Sequence, residues 1–158
     1  MKQLVITLLC TAILSLAACK PAAPSFRLPE IETAQIMDER NFIGKTTLLN
    51  FWYPSCPGCV KEMPQLINLH NKYANNPNFQ TIAISLNLNS EAEVRAYIQQ
   101  YKLPFAVAYD KDKKAQTAYN VTLAPMTFVI DKQGKIVKQY LGEPDWQELT
   151  GVLDKALK

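Results

Sequence analysis

The feature that most constrains this chain is a change of period within one stretch, residues 46–74. Residues 46–53 (TTLLNFWY) form an almost unbroken apolar and β-branched run. A run without polar alternation fits a strand covered on both faces, as in a parallel sheet. From Cys56 onward the repeat becomes helical. Val60, Met63 and Ile67, and Leu66, His70 and Tyr73, recur at spacings of three and four. Pro57 suits the first turn of that helix, where its missing N–H is not needed. Pro64 lies deeper and is expected to kink it.

The remaining segments extend the alternation. Residues 79–86 (FQTIAISL) read as a second buried strand. Ser90 and Glu93 have capping-box spacing ahead of Val94, Tyr97, Ile98 and Tyr101 on one helical face. Residues 105–109 predict a short strand and 113–119 a short helix. Residues 126–130 and 135–140 flank Asp131-Lys132-Gln133-Gly134, a hairpin turn signal. Asp145 with Glu148 repeats the capping-box pattern before a final helix ending near Leu157. There is no internal repeat. Alternation first and a hairpin last predict an α/β domain with a mixed central sheet, flanking helices and an antiparallel edge.

The first residues read as an export signal. Lys2 precedes an apolar run over residues 4–16, too short for the roughly 20 residues that span a bilayer. Leu16-Ala17-Ala18-Cys19 resembles a bacterial lipobox. The resemblance implies a signal peptide over 1–18, lipidation of Cys19, and membrane attachment through that anchor. It places the chain in the bacterial cell envelope with its domain facing the periplasm. Residues 19–32, with Pro21, Pro24 and Pro29 and no periodicity, read as a tether. Residues 33–158 are then the domain.

Charge is nearly balanced, with 17 basic against 14 acidic residues, which argues against nucleic acid as a partner. Lys111, Lys113 and Lys114 alternate with Asp110 and Asp112, as in a solvated loop.

Of four cysteines, Cys10 would leave with the signal and Cys19 would carry lipid. Cys56 and Cys59 remain, in a compartment where disulfides persist. Val60 follows Cys59 where haem attachment needs histidine. A structural zinc site needs a second ligand pair, and none is present. A loop as short as 56–59 would gain little as a structural staple. Redox chemistry and Cu(I) handling remain open on these grounds. Two thiolates can hold Cu(I), with Met37, Met63 and Met126 as soft extra ligands, although Met63 and Met126 fit helix and strand packing better.

FWYPSCPGC after the first long strand resembles the active site of the thioredoxin superfamily. Leu123-Ala124-Pro125-Met126-Thr127-Phe128 resembles its cis-proline loop. With the lipobox, the additional helix and strand between Ser90 and Tyr109 resemble the TlpA/ResA-like branch of membrane-tethered thiol–disulfide proteins. The resemblance implies a thioredoxin-like fold without cofactor or metal, and exchange of substrate disulfides, in the reducing direction, through Cys56 and Cys59. Cys56 would attack from the helix N-terminus, where the dipole favours thiolate; Cys59 would resolve the mixed disulfide.

It further implies that Glu62 tunes the thiols and takes the Cys59 proton. An exposed first-turn glutamate favoured by the dipole is the competing reading. Thioredoxin carries an aspartate where this chain has Asn50, read here as a strand-end polar residue satisfied by backbone. Pro125 would be cis by resemblance, whereas the residues alone favour a trans proline opening an edge strand. Ala124, Trp52 and Pro57 are expected to line the substrate site. No histidine lies between the cysteines, so the pair lacks that lever towards a strong oxidant. His70 reads as a core or boundary residue. Implied partners are envelope disulfide proteins and a DsbD/CcdA-type transmembrane electron donor, with the chain acting as a monomer. A Cu(I)-binding thioredoxin-like metallochaperone is the alternative.

Overall fold

The computed structural model describes residues 20–158. The expected signal peptide and the expected lipidation site, Cys19, lie outside the described residues. The described chain contains β1 (Arg27–Pro29), β2 (Ile36–Asp38), β3 (Thr46–Trp52), α1 (Pro57–Tyr73), β4 (Phe79–Leu86), α2 (Glu91–Tyr101), β5 (Ala106–Asp110), α3 (Lys114–Ala118), β6 (Met126–Ile130), β7 (Ile136–Leu141) and α4 (Trp146–Ala156).

Five strands make one mixed sheet in the order β5-β4-β3-β6-β7. β3 runs parallel to β4, and β4 to β5. β6 is antiparallel to both β3 and β7. The central strand β3 is buried at every residue, as its apolar run requires. Alternate side chains of β3 serve two cores. Leu48 and Trp52 pack with Leu66 of α1, Val94 of α2 and Leu149 of α4. Leu49 and Phe51 pack with Phe26, Phe42, Tyr119 and Phe128 on the opposite face. The mixed α/β prediction holds.

Local signals act largely as read. Ser90 caps α2, and Glu93 closes the box by accepting from the Ser90 amide at 2.7 Å. Asp145 caps α4 through the Gln147 and Glu148 amides. The reciprocal half of that box is not formed, because Glu148 pairs with Lys138 at 2.8 Å. The 131–134 turn closes through Gly134 N–H to Asp131 O at 2.8 Å, with Gly134 at φ 71°.

The tether reading needs correction. Residues 21–31 pack onto the domain: Ala22 bridges Lys135, β1 pairs with β2, and Glu30 bridges Ala108. Phe26, Leu28 and Ile31 are buried. Burial of each such side chain contributes roughly 1.5–3 kcal/mol. Of the prolines that suggested a spacer, Pro29 ends β1, Pro21 adjoins the Ala22 bridge and Pro24 lies between them outside any strand, so the segment shows no readable period.

Candidate active site

Cys56 stands just past the carboxyl end of β3 and is the N-cap of α1. Its Sγ accepts from the Cys59 amide at 3.1 Å. One of the unpaired donors of the helix start is thereby aimed at the sulfur, with the positive end of the helix dipole behind it. Pro57 occupies the first turn, exposed to solvent. Cys56 and Cys59 are joined as a disulfide. Cys56 is 3% exposed and Cys59 is fully covered, so an incoming group reaches Cys56 first.

The loop before β6 lies against this turn. The Ala124–Pro125 bond is cis, as the resemblance implied and the residues alone did not. Cys56 Sγ lies 3.6 Å from the Ala124 carbonyl oxygen. Gly142 N–H donates to Pro125 O at 2.8 Å and ties the loop to the end of β7. Contact is close enough that a Cβ on Gly58 would sit 3.3 Å from Pro125 Cδ. On the other flank, the Ser55 amide and hydroxyl both donate to Asn89 Oδ1, at 3.1 and 2.8 Å. The redox turn is thus bonded to the residue that precedes the Ser90 cap of α2.

Glu62 follows Cys59 by three residues, on the same helical face, and is 1% exposed. The exposed-glutamate reading is therefore excluded. Burial pushes its pKa up to about 7, against the bond from Asn50 and with a small further push from the Glu143 carboxylate. Asn50 corrects a second expectation. Its side chain is not satisfied by backbone: Nδ2 donates to Glu62 Oε1 at 3.0 Å and to Thr127 Oγ1 at 2.9 Å. Asn50 and Thr127 face each other across the β3–β6 ladder. Glu62 Oε2 and Asn50 Oδ1 are buried without a protein partner, which further favours a protonated Glu62 over a carboxylate.

Trp52 also departs from expectation. It is fully buried and packs against Tyr97 with ring centroids 4.9 Å apart. It backs the cysteine pair and has no surface to offer a substrate. Pro57 and the half-buried Ala124 do lie at the surface beside Cys56. Exposed Val60, Leu88, Leu123 and Leu141 stand on the segments that frame the pair. His70 is a boundary residue whose Nδ1 is 3.1 Å from Thr81 Oγ1, against Phe79 and Phe105. Burial lowers its pKa. Met37 and Met126 pack in the core across the sheet from the cysteines, and Met63 in the core on their side.

Sequence reasoning missed Thr127 and the ion pair of Lys61 with Glu143 at 2.7 Å. Period two along β3 puts Leu48, Asn50 and Trp52 on the face that meets α1, which was a usable signal for Asn50. Nothing comparable marks Thr127.

The family model for Redoxin matches residues 19–156. The chain belongs to the Redoxin family. It is 37% identical over 133 residues to the thiol-disulfide oxidoreductase ResA of Bacillus cereus, spanning 84% of this chain and 75% of that protein. A solution structure from Neisseria meningitidis, assigned as a candidate thioredoxin, superposes with a TM-score of 0.79 at 41% identity, covering 87% of this chain and 91% of that one. StoA of Bacillus subtilis superposes with a TM-score of 0.71 at 25% identity, covering 84% and 99%. This Redoxin is a ResA-like member of the thioredoxin superfamily. Thiol–disulfide exchange through Cys56 and Cys59 is its chemistry.

Proposed function

We propose that this Redoxin reduces disulfides of envelope proteins, with Glu62 as the proton acceptor for Cys59. The observation that carries the reading is the placement of Cys56. It caps α1 beside the cis Ala124–Pro125 bond, with a buried, proton-poised Glu62 one turn behind its partner.

The Cys56 thiolate attacks one sulfur of the substrate disulfide, and the other leaves as a thiolate that takes up a proton. Cys59 gives its proton to the Glu62 carboxylate and attacks the Cys56 sulfur. The second substrate thiol is released, and two electrons have passed from the pair to the substrate. An acid with a pKa about 7 is near half-ionised at neutral pH, suited to taking and returning that proton. Asn50 and Thr127 hold Glu62 in place. The Ala124 backbone, beside cis Pro125, pairs with an extended substrate segment, and the apolar rim of Val60, Leu88, Leu123 and Leu141 accepts its side chains. Pro57 flanks the entry to Cys56.

Residues 1–18 act as a signal peptide, and lipid on Cys19 holds the domain at the periplasmic face as a monomer. A DsbD/CcdA-type donor returns two electrons to the pair. The 4–16 apolar run and the 16–19 lipobox support this arrangement.

Insulin reduction by the dithiothreitol-reduced chain tests the reading, together with a Cys59→Ser variant. The variant is expected to accumulate a mixed disulfide on Cys56. Failure of the wild type to reduce insulin, or trapping through Cys59 in a Cys56→Ser variant instead, contradicts it.

A further inference from the structure

The redox pair occupies one end of the sheet, and the described chain enters at the other. Cys56 follows the carboxyl end of β3, and Lys45 precedes its amino end; seven strand residues separate the two by about 20 Å. The 20–23 segment is docked at the Lys45 end. Ala23 N–H donates to Gly134 O at 2.9 Å, Ile136 N–H donates to Pro21 O at 2.8 Å, and Lys20 pairs with Asp131 at 3.3 Å.

The same pole gathers lysines from four segments. Lys45 precedes β3, and Lys132 and Lys135 form the β6–β7 turn. Lys72 lies in the last turn of α1 and Lys155 in that of α4. Hydrogen bonds fix these segments there: Gly44 N–H donates to Lys132 O at 2.9 Å, and the Thr46 hydroxyl donates to Ala156 O at 2.9 Å. Two carboxylates at this pole are already engaged. Asp131 accepts from the Gln133 and Lys135 amides as well as Lys20, and Asp154 accepts from the Tyr73 hydroxyl at 2.6 Å. Asp38 and Glu39, on the approach to β3, have Arg27 and Arg40 beside them. Among the described residues, none of Lys45, Lys72, Lys132, Lys135 and Lys155 is ion-paired.

Helix dipoles account for part of this. They favour Lys72 and Lys155 in last turns, and Glu91, Glu93 and Asp145 at helix starts near the redox end. They do not account for Lys45, Lys132 and Lys135, which sit on turns between strands. Those three surround the point where the chain arrives from its apolar amino-terminal run. Cys19 is the residue immediately before Lys20, about 3.8 Å along the chain.

We infer that this lysine pole is a docking surface for a layer of anionic phospholipid headgroups, which seats the domain with the redox pair directed away from the bilayer. Headgroup attraction acts within about a Debye length, some 8 Å at physiological salt. It therefore requires the domain to lie against the membrane, as a chain anchored one residue upstream must. The inference goes beyond the proposed anchor and rests on it only for the attachment upstream of Lys20.

The test uses the full chain in phosphatidylcholine vesicles, with or without phosphatidylglycerol, with spin labels on the headgroups. On anionic vesicles the amide signals of residues 44–45 and 131–135 are expected to broaden while those of 56–60 stay sharp. On neutral vesicles that contrast should disappear. Lys132→Glu with Lys135→Glu should remove it, and lower salt-sensitive partition into anionic vesicles by at least about thirtyfold, with insulin reduction unchanged. Equal broadening at both poles, indifference to lipid charge, or no effect of charge reversal would overturn the inference. Loss of the chain from neutral vesicles reports failure of the anchor instead. In that case salt-sensitive binding to anionic vesicles with the same broadening still supports the pole, and no binding refutes it. Binding to polyglutamate but not to anionic vesicles assigns the pole to an acidic protein and refutes it too.

Discussion

Replacing Glu62 by glutamine isolates the strongest electrostatic feature of the site. The folded pKa of about 7 stands well above the ordinary 4.5. Below about pH 4.5 the carboxyl is neutral in folded and unfolded chains alike, and the stability associated with its neutral form is fully present. As pH rises through the folded pKa, the unfolded chain has already released its proton while the folded one must ionise a 1%-exposed group. Stability is lost across that window. A difference of roughly 2.5 units corresponds to about 3 kcal/mol.

Glutamine keeps the shape and the acceptor for Asn50 Nδ2, and its amide can donate to the unpartnered Asn50 Oδ1. Glu62→Gln is therefore expected to match the wild type near pH 4.5 and to exceed it by about 3 kcal/mol at pH 8.5. The assay is urea denaturation of the oxidised protein, followed by tryptophan fluorescence, across that range. Keeping the disulfide intact removes thiol titration from the comparison. Parallel stability curves for the two proteins would refute the argument, because they would mean that Glu62 does not change its charge differently on folding.

Thr127→Val keeps the side-chain shape but leaves Asn50 Nδ2 one acceptor short, so it should destabilise by about 1–3 kcal/mol and slow exchange more than Thr127→Ser does, read by denaturation and insulin reduction. Ser90→Ala removes the α2 cap and should cost about 1 kcal/mol, measured the same way. Phe26→Ala should cost about 3–5 kcal/mol if residues 21–31 belong to the core; a loss below 1 kcal/mol would restore the tether reading of that segment.

What the sequence made legible follows from how local each signal is. The continuous apolar runs of β3 and β4, the Ser90 box and the Asp131–Gly134 turn are decided within a few residues, and each appears where it was read. β1 and β2 are three residues each, too short to display a period, and the prolines before and within β1 pointed to a spacer instead. Asp145 carried a capping-box pattern whose second half lost to a tertiary partner, Lys138. At the site, Cys56 and Cys59 were readable from the strand-to-helix switch. Cis Pro125 was readable only by resemblance, since the isolated residues favour trans. Glu62 was undecidable because its burial, one turn past Cys59 in α1, depends on what the sheet presents opposite it. That turned out to be Asn50 and Thr127, brought together by the β3–β6 register. Trp52 was expected to line the substrate site, but Tyr97 of α2, which packs against it, comes from later in the chain.

The central claim is that Cys56 and Cys59 form a reducing exchange pair. The most direct test equilibrates the protein against defined thiol–disulfide buffers and reads the fraction of the Cys56–Cys59 disulfide. A midpoint between the thioredoxin and glutaredoxin values, about −270 to −200 mV, is predicted. A midpoint near −120 mV, that of a strong oxidant, would contradict the account.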